Sequence, residues 1–146
     1  EDPTAFPWLD APRPEAVAAA LGLLRVLGAV SDTGLTDTGR SLARLPVHPR
    51  VGRLLLEGQR LGVPGRAALA AALLSERDPF LRDDGPPRPA AATESDVLDR
   101  VEAVEAFERT GHLGRLHRGG AWQVLQARDQ LLRLVGPAVP DVFGSE

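Results

Sequence analysis

Hydrophobic and polar residues repeat along most of this chain with the period of an α-helix. Apolar residues three and four positions apart define one helix face, and Pro, Gly, Ser and Thr mark where helices begin and end. The pattern predicts helices over residues 14–27, 38–45, 49–61, 67–74, 95–109 and 121–135, with Leu61 and Trp122 among the residues expected to face inward. The chain is therefore predicted to be mainly α-helical.

A short β-hairpin is predicted between the first two helices, because turn-forming residues 31–34 separate two brief extended pieces. The order helix, hairpin, helix is typical of a winged helix, which serves either nucleic-acid binding or protein interaction, and the order alone leaves both open. Pro46 ends the helix that follows the hairpin, and with it the predicted winged helix. We predict an N-terminal arm and winged helix over residues 1–46 and a helical bundle over residues 47–146.

Two features organise the predicted bundle. Residues 67–74 are small and apolar nearly all round, so this helix is expected to lie at the centre. Residues 82–93 combine several prolines with small residues and show no apolar period, which predicts a mobile loop.

Charge is segregated along the chain, although the net charge is only −3. Residues 40–66 carry six Arg and one acidic residue, whereas residues 75–108 carry four Arg and ten acidic residues. Arg binds phosphate bidentately and stays charged, so Arg50 and Arg53 at a helix start are candidate phosphate contacts. The competing interpretation is a solvated helix face.

Candidate chemistry is sparse. All 17 basic residues are Arg, and a phosphate-binding loop for nucleotide hydrolysis needs Lys. His112 and His117 are five residues apart rather than four, which disfavours a shared metal ion, and Glu102 and Glu105 fit a solvated helix face. The segment alone is therefore predicted to be non-enzymatic, with neither metal nor cofactor.

The cellular setting is indicated by what the composition lacks. There is no Cys, no apolar run long enough to cross a membrane and no signal-peptide pattern, so we expect a cytoplasmic protein with no membrane partner. The absence of Lys, Ile and Asn indicates a G+C-rich bacterial genome. Because Met is also absent, we expect the chain to be a segment of a longer gene product.

Four stretches together resemble the region that follows the motor domains in DEAH-type ATP-dependent helicases. Residues 6–30 resemble the entry to its winged helix, and LTDTGRSLARLPVHPR, residues 35–50, resembles the passage into its ratchet domain. ALLSERDPF, residues 72–80, and ARDQLLRLV, residues 127–135, resemble later ratchet helices. The His-Pro and SERDPF details are most similar to the bacterial HrpB branch.

The resemblance implies an accessory segment that guides and grips single-stranded nucleic acid, RNA in preference to DNA. ATP and magnesium would be bound by motor domains of the same parent chain, which would be the hydrolase. Arg50 and Arg128 match the family's Pro-Arg and Arg-x-Gln-Leu motifs, so either is expected to contact the strand or to be structural.

Two alternatives come from other functional classes. A winged-helix transcription regulator would read duplex DNA, but residues 36–45 offer only Arg40 and Arg44 as long basic side chains and no Asn or Gln to read adenine. A protein-docking module would use the acidic helix over residues 94–108.

Overall fold

The computed structural model describes residues 6–81 and 95–136, and the chain divides into two compact units, Glu1–Arg53 and Leu54–Glu146. In chain order, the described residues form α1 (Pro14–Val26), β1 (Val30–Ser31), β2 (Gly34–Leu35), α2 (Asp37–Leu42), α3 (Pro49–Arg60), α4 (Pro64–Ser75), α5 (Asp96–Thr110) and α6 (Arg118–Val135). The predicted mainly α-helical chain with a short hairpin is confirmed. The mobile loop predicted at 82–93 lies outside the described residues.

The division between the units falls inside α3, after Arg53. The domain boundary predicted between residues 46 and 47 stays a prediction, as does the assignment of residues 1–46 to a winged helix.

In the first unit, α1 ends where Gly28 adopts a left-handed φ of +70°. The N–H of Ala29 then donates to the carbonyl oxygen of Leu24 at 2.8 Å, which closes the last turn of the helix. No residue of α1 is buried. Val17, Leu21 and Leu24 on the predicted apolar face of α1 are therefore only partly buried.

The hairpin leads directly into α2. Its antiparallel register pairs Val30 with Leu35 and Ser31 with Gly34. Thr36 caps α2, because its hydroxyl oxygen accepts the N–H of Gly39 at 3.0 Å and also donates to the carbonyl oxygen of Gly28 at 2.7 Å. A Cβ on Gly39 would lie 2.1 Å from the carbonyl oxygen of Ala29, so only glycine permits this approach.

The second unit is built around α4. Every residue from Ala67 to Leu73 is buried, and α4 contacts both α5 and α6, so the expected central position is confirmed within this unit. The last residues of α3 pack closely on α4: a Cβ on Gly58 would lie 2.0 Å from the Cβ of Ala67. Small residues thus allow these helices to approach one another closely.

Three sequence expectations for the second unit are wrong. α6 begins at Arg118 rather than Ala121. The first turn of this helix contains Gly119 and Gly120, and His117 caps it by accepting the N–H of Gly120 at 3.3 Å. Trp122 was expected inward, but half of it (53%) is exposed. Leu61 was also expected inward and is 60% exposed, since the chain turns at Gly62 immediately after it.

Candidate nucleic-acid interface

Arg50 and Arg53 lie three residues apart on α3, within the first unit. This spacing places them at adjoining positions on one side of the helix. Arg50 is exposed, and its backbone N–H donates to Nδ1 of His48 at 3.3 Å. Arg53 is half-buried and already interacts within the chain. Of the two, Arg50 is the more accessible to a phosphate.

Arg128, the third predicted contact, is enclosed by carboxylates of its own unit. Two of its guanidinium nitrogens donate to the two carboxylate oxygens of Glu108 at 2.6 and 2.8 Å, which joins α6 to α5. Its Nε donates to Oδ1 of Asp129 at 2.9 Å. The side chain is only 16% exposed. Arg128 therefore makes a bidentate connection between helices, an arrangement the sequence did not indicate.

This ion pair changes the acidity of both partners. The hydrogen bonds between Arg128 and Glu108 lower the pKa of Glu108 below its ordinary value. The same hydrogen bonds raise the pKa of Arg128. Because the carboxyl group is more acidic in the folded chain than in the unfolded chain, the pair contributes its full stability at neutral pH. That contribution is lost as the pH falls through the pKa of folded Glu108.

We expect a double-mutant cycle of Glu108→Gln and Arg128→Gln to give a coupling of about 1 kcal/mol at neutral pH, since Glu108 is partly exposed to solvent. The coupling should shrink when the pH is lowered into the acid range. Chemical denaturation measures it. The matched control is Arg133→Gln, an exposed arginine on the same helix. A coupling that is zero at neutral pH would contradict the structural role.

The segment 77–81 is bound to the segment that leads into α6. Phe80 and Leu116 form an antiparallel bridge. Two backbone hydrogen bonds flank this bridge. The N–H of Leu81 donates to the carbonyl oxygen of Arg115 at 2.9 Å, and the N–H of His117 donates to the carbonyl oxygen of Pro79 at 2.8 Å. These hydrogen bonds hold the end of the SERDPF stretch against the start of α6.

A cleft of about 770 Å³, here called the α6 cleft, opens beside this bridge. It is lined by residues 77–81 on one side and by His117, Gly119, Gly120 and Gln123 on the other. The absence of a side chain at Gly120 favours this arrangement, since a Cβ there would lie only 3.0 Å from Cα of Pro79 and would push the two segments slightly apart. Glycine at the start of α6 therefore lets the two walls of the cleft approach.

The acidic groups of the α6 cleft are engaged by neighbouring donors. Oδ1 of Asp78 accepts a salt bridge from Arg100 at 2.5 Å and the N–H of Phe80 at 3.0 Å. Oε2 of Glu76, next to the cleft, accepts from the side-chain amide of Gln123 at 2.8 Å. Arg77 is exposed and makes no ion pair with any carboxylate in the described part of the chain. The cleft thus has an accessible cationic group.

Sequence reasoning missed the basic stretch that continues from this cleft. Residues 109–128 carry four Arg and two His but no Asp or Glu. The predicted charge contrast compares residues 40–66 with residues 75–108 and therefore ends just before this basic stretch. A charge count over the next twenty residues would have revealed it. Within it, the exposed indole of Trp122 lies edge-on to Phe107, with ring centroids 5.7 Å apart.

Residues 48–118 match the family described as helicase associated domain (HA2), ratchet-like. This stretch, slightly under half of the chain, is similar to that family and is here called the ratchet-like domain. The ratchet-like domain includes α3, α4, α5 and one wall of the α6 cleft. The match contains residues 72–80, so the ratchet resemblance of that stretch is confirmed, whereas residues 6–30 and 127–135 lie outside the match.

Curated relatives of the chain are ATP-dependent helicases. It is 38% identical over 84 residues to the ATP-dependent RNA helicase HrpA of Escherichia coli, covering 53% of this chain and 6% of that protein. It is 37% identical over 111 residues to the probable ATP-dependent RNA helicase DHX34 of Homo sapiens, covering 73% and 10%. It is 32% identical over 136 residues to the ATP-dependent DNA/RNA helicase DHX36 of Rattus norvegicus, covering 86% and 14%.

The chain thus spans a small part of the length of each of these relatives. Across residues 6–81 and 95–136, no three His, Asp or Glu side chains come together as a metal site. None of the helices in the same residues combines the length and the apolar character needed to cross a bilayer.

Proposed function

We propose that the chain is an accessory segment of an ATP-dependent helicase and helps to guide and grip single-stranded nucleic acid, RNA in preference to DNA. The observation that carries this proposal is the ratchet-like domain itself, together with relatives that are named as ATP-dependent helicases. The parent chain would be the nucleotide hydrolase. Its motor domains would bind ATP and magnesium, while this segment would catalyse no reaction.

Residues 1–46 are proposed to form a winged helix in front of the ratchet-like domain. The order of α1, the hairpin and α2 supports this assignment. We further propose a bacterial, cytoplasmic protein of the HrpB-like branch, supported by the arginine-only basic composition and the His-Pro and SERDPF stretches.

Exposed apolar side chains in and before α1 are proposed to contact the motor domains of the same parent chain. Val26 is 85% exposed in the last turn of α1, and Leu9 just before the helix is fully exposed. Exposed apolar side chains can pack against the surface of another domain. The relatives are seven or more times longer than the aligned part of this chain. Another domain of the parent chain is therefore the partner proposed for these side chains.

The first test measures binding of a short, fluorescently labelled oligouridine to the 146-residue chain at several salt concentrations. Each phosphate neutralised on a single strand contributes about −0.7 to the slope of log affinity against log salt, so a few arginine contacts give a slope of about −2. Arg50→Ala should make this slope less steep by about 0.7, because one phosphate contact is lost. Fluorescence anisotropy provides the affinities.

The matched control is Arg25→Ala, an exposed arginine of α1 whose removal changes the net charge equally. If both variants behave alike, binding depends on overall charge and Arg50 is not a contact. Tight, sequence-selective binding of a duplex would favour the transcription-regulator alternative, since phosphate contacts position a strand without specifying its sequence. Absence of binding at low salt would contradict the proposal and favour the protein-docking alternative.

A further inference from the structure

The first turn of α6 is capped by an imidazole. Nδ1 of His117 accepts the backbone N–H of Gly120 at 3.3 Å, which satisfies one of the N–H groups that the start of a helix leaves without a partner. Only an unprotonated Nδ1 can accept this hydrogen bond, because both nitrogens of a protonated imidazole are donors. Ser, Thr, Asp and Asn are the usual caps, and none of them changes charge near neutral pH. The cap on α6 therefore depends on the protonation state of His117.

The backbone of the same residue binds the SERDPF stretch. The N–H of His117 donates to the carbonyl oxygen of Pro79 at 2.8 Å, and Pro79 also packs closely against Gly120. The side-chain cap and the backbone hydrogen bonds between residues 79–81 and 115–117 thus meet within one helical turn. Together they are called the His117 latch.

Cations surround the imidazole of the His117 latch. Arg77 lines the opposite wall of the α6 cleft, and Arg118 follows His117 in a first helical turn that contains no acidic residue. Arg115 lies two residues before it. The positive end of the helix dipole lies at the same place. A positive charge on His117 would therefore be repelled by its surroundings.

The carboxylates nearby are engaged by other donors. Asp78 is the carboxylate among the residues that line the α6 cleft, and it accepts a salt bridge from Arg100 and the N–H of Phe80. Glu76, next to the cleft, accepts from the side-chain amide of Gln123. Stabilising a protonated imidazole would require one of these hydrogen bonds to be given up.

We propose that the His117 latch is a pH-sensitive device that opens when the imidazole takes up a proton. Histidine changes charge between about pH 8 and pH 5. A protonated His117 loses the cap on Gly120 and places a cation beside Arg77, so the hydrogen bonds between residues 79–81 and 115–117 weaken. Arg100 keeps the SERDPF stretch on α5, and the two walls of the α6 cleft separate. The latch needs no ligand and does not depend on the proposed strand binding.

Hydrogen exchange of the full chain, followed by NMR at about pH 7.5 and about pH 5.5, tests the latch. The N–H groups of Leu81, His117 and Ala121 report on it, and that of Gly111 at the end of α5 is the internal reference. Their protection factors are corrected for the pH dependence of exchange in an unfolded chain. We expect them to fall about tenfold at the lower pH, as for a lost helix cap with added repulsion, while Gly111 changes little.

Three variants make this result specific. His117→Asn keeps a cap that does not titrate, so protection should be equal at the two pH values. Arg77→Gln removes one repelling cation and should make the fall smaller. His112→Asn is the matched control, because His112 is an exposed histidine of the same loop whose imidazole makes no hydrogen bond in the described part of the chain. It should show the full fall.

The latch would be wrong if the unsubstituted chain kept its protection at the lower pH. A fall that persists in His117→Asn would assign the effect to another titrating group, and an equal fall at Gly111 would assign it to global unfolding. Circular dichroism checks that each variant folds. If His117→Asn does not fold, an undiminished fall in Arg77→Gln decides against the latch.

Discussion

Phe107→Ala is expected to lower the free energy of unfolding of the second unit by about 3–5 kcal/mol, the usual loss when a buried phenylalanine is truncated. Phe107 is 3% exposed and supports the ring of Trp122 at the same time. Since small domains are stable by only about 5–15 kcal/mol, much of the unit's stability would be lost. Chemical denaturation followed by Trp122 fluorescence, in a Trp8→Phe background, reports on this unit.

The control is Phe6→Ala, in which the same side chain is removed from a site that is 57% exposed. Its free energy of unfolding should stay within about 0.5 kcal/mol of the unsubstituted chain. A loss below about 1 kcal/mol for Phe107→Ala would show that α5 and α6 do not enclose this ring as described.

Gly58→Ala is expected to destabilise the second unit by about 1–3 kcal/mol, the cost of overpacking a close contact. The added methyl group would lie 2.0 Å from the Cβ of Ala67, so α3 and α4 must move apart. Helix propensity alone would have the opposite effect, because it favours Ala over Gly by about 1 kcal/mol within a helix. Thermal and chemical denaturation measure the change.

Two further variants make this result specific. Gly65→Ala on α4 introduces the same methyl group where nothing lies within 4 Å, so it should leave stability unchanged or raise it. Combining Gly58→Ala with Ala67→Gly removes the opposing methyl group and should restore part of the loss. If Gly58→Ala stabilises the chain as much as Gly65→Ala does, the close approach of α3 and α4 is wrong.

The helices and the hairpin were predictable because local signals determine them. Pro14 and Gly28 mark the two ends of α1, and Pro49 opens α3, as a fixed φ and a left-handed φ require. The early start of α6 was not predictable from the same rules. In the sequence, Gly120 suggests a helix break, whereas in the folded unit it lies within the first turn of α6 and Pro79 packs closely against it.

The candidate site was less predictable, because it depends on which helices pack together. Nothing near Arg128 in sequence reveals Glu108, which lies twenty residues earlier on α5 and faces it only in the folded unit. The exposure of Trp122 was missed for a similar reason, since helical periodicity assigned it to a face that Phe107 covers only in part. The family resemblance identified the ratchet-like domain, but it could not show which arginines are accessible.

The composition of α4 also affects the entropy of folding. Five of its seven consecutive buried residues are alanine, whose side chain has no rotamers to lose, whereas a buried Met or Gln would lose up to about 2 kcal/mol of rotamer freedom. Ordering the centre of the second unit therefore costs mainly backbone entropy and little side-chain entropy. The rotamer entropy lost on folding is concentrated instead in the larger buried side chains that α5 and α6 contribute, such as Phe107 and Leu125.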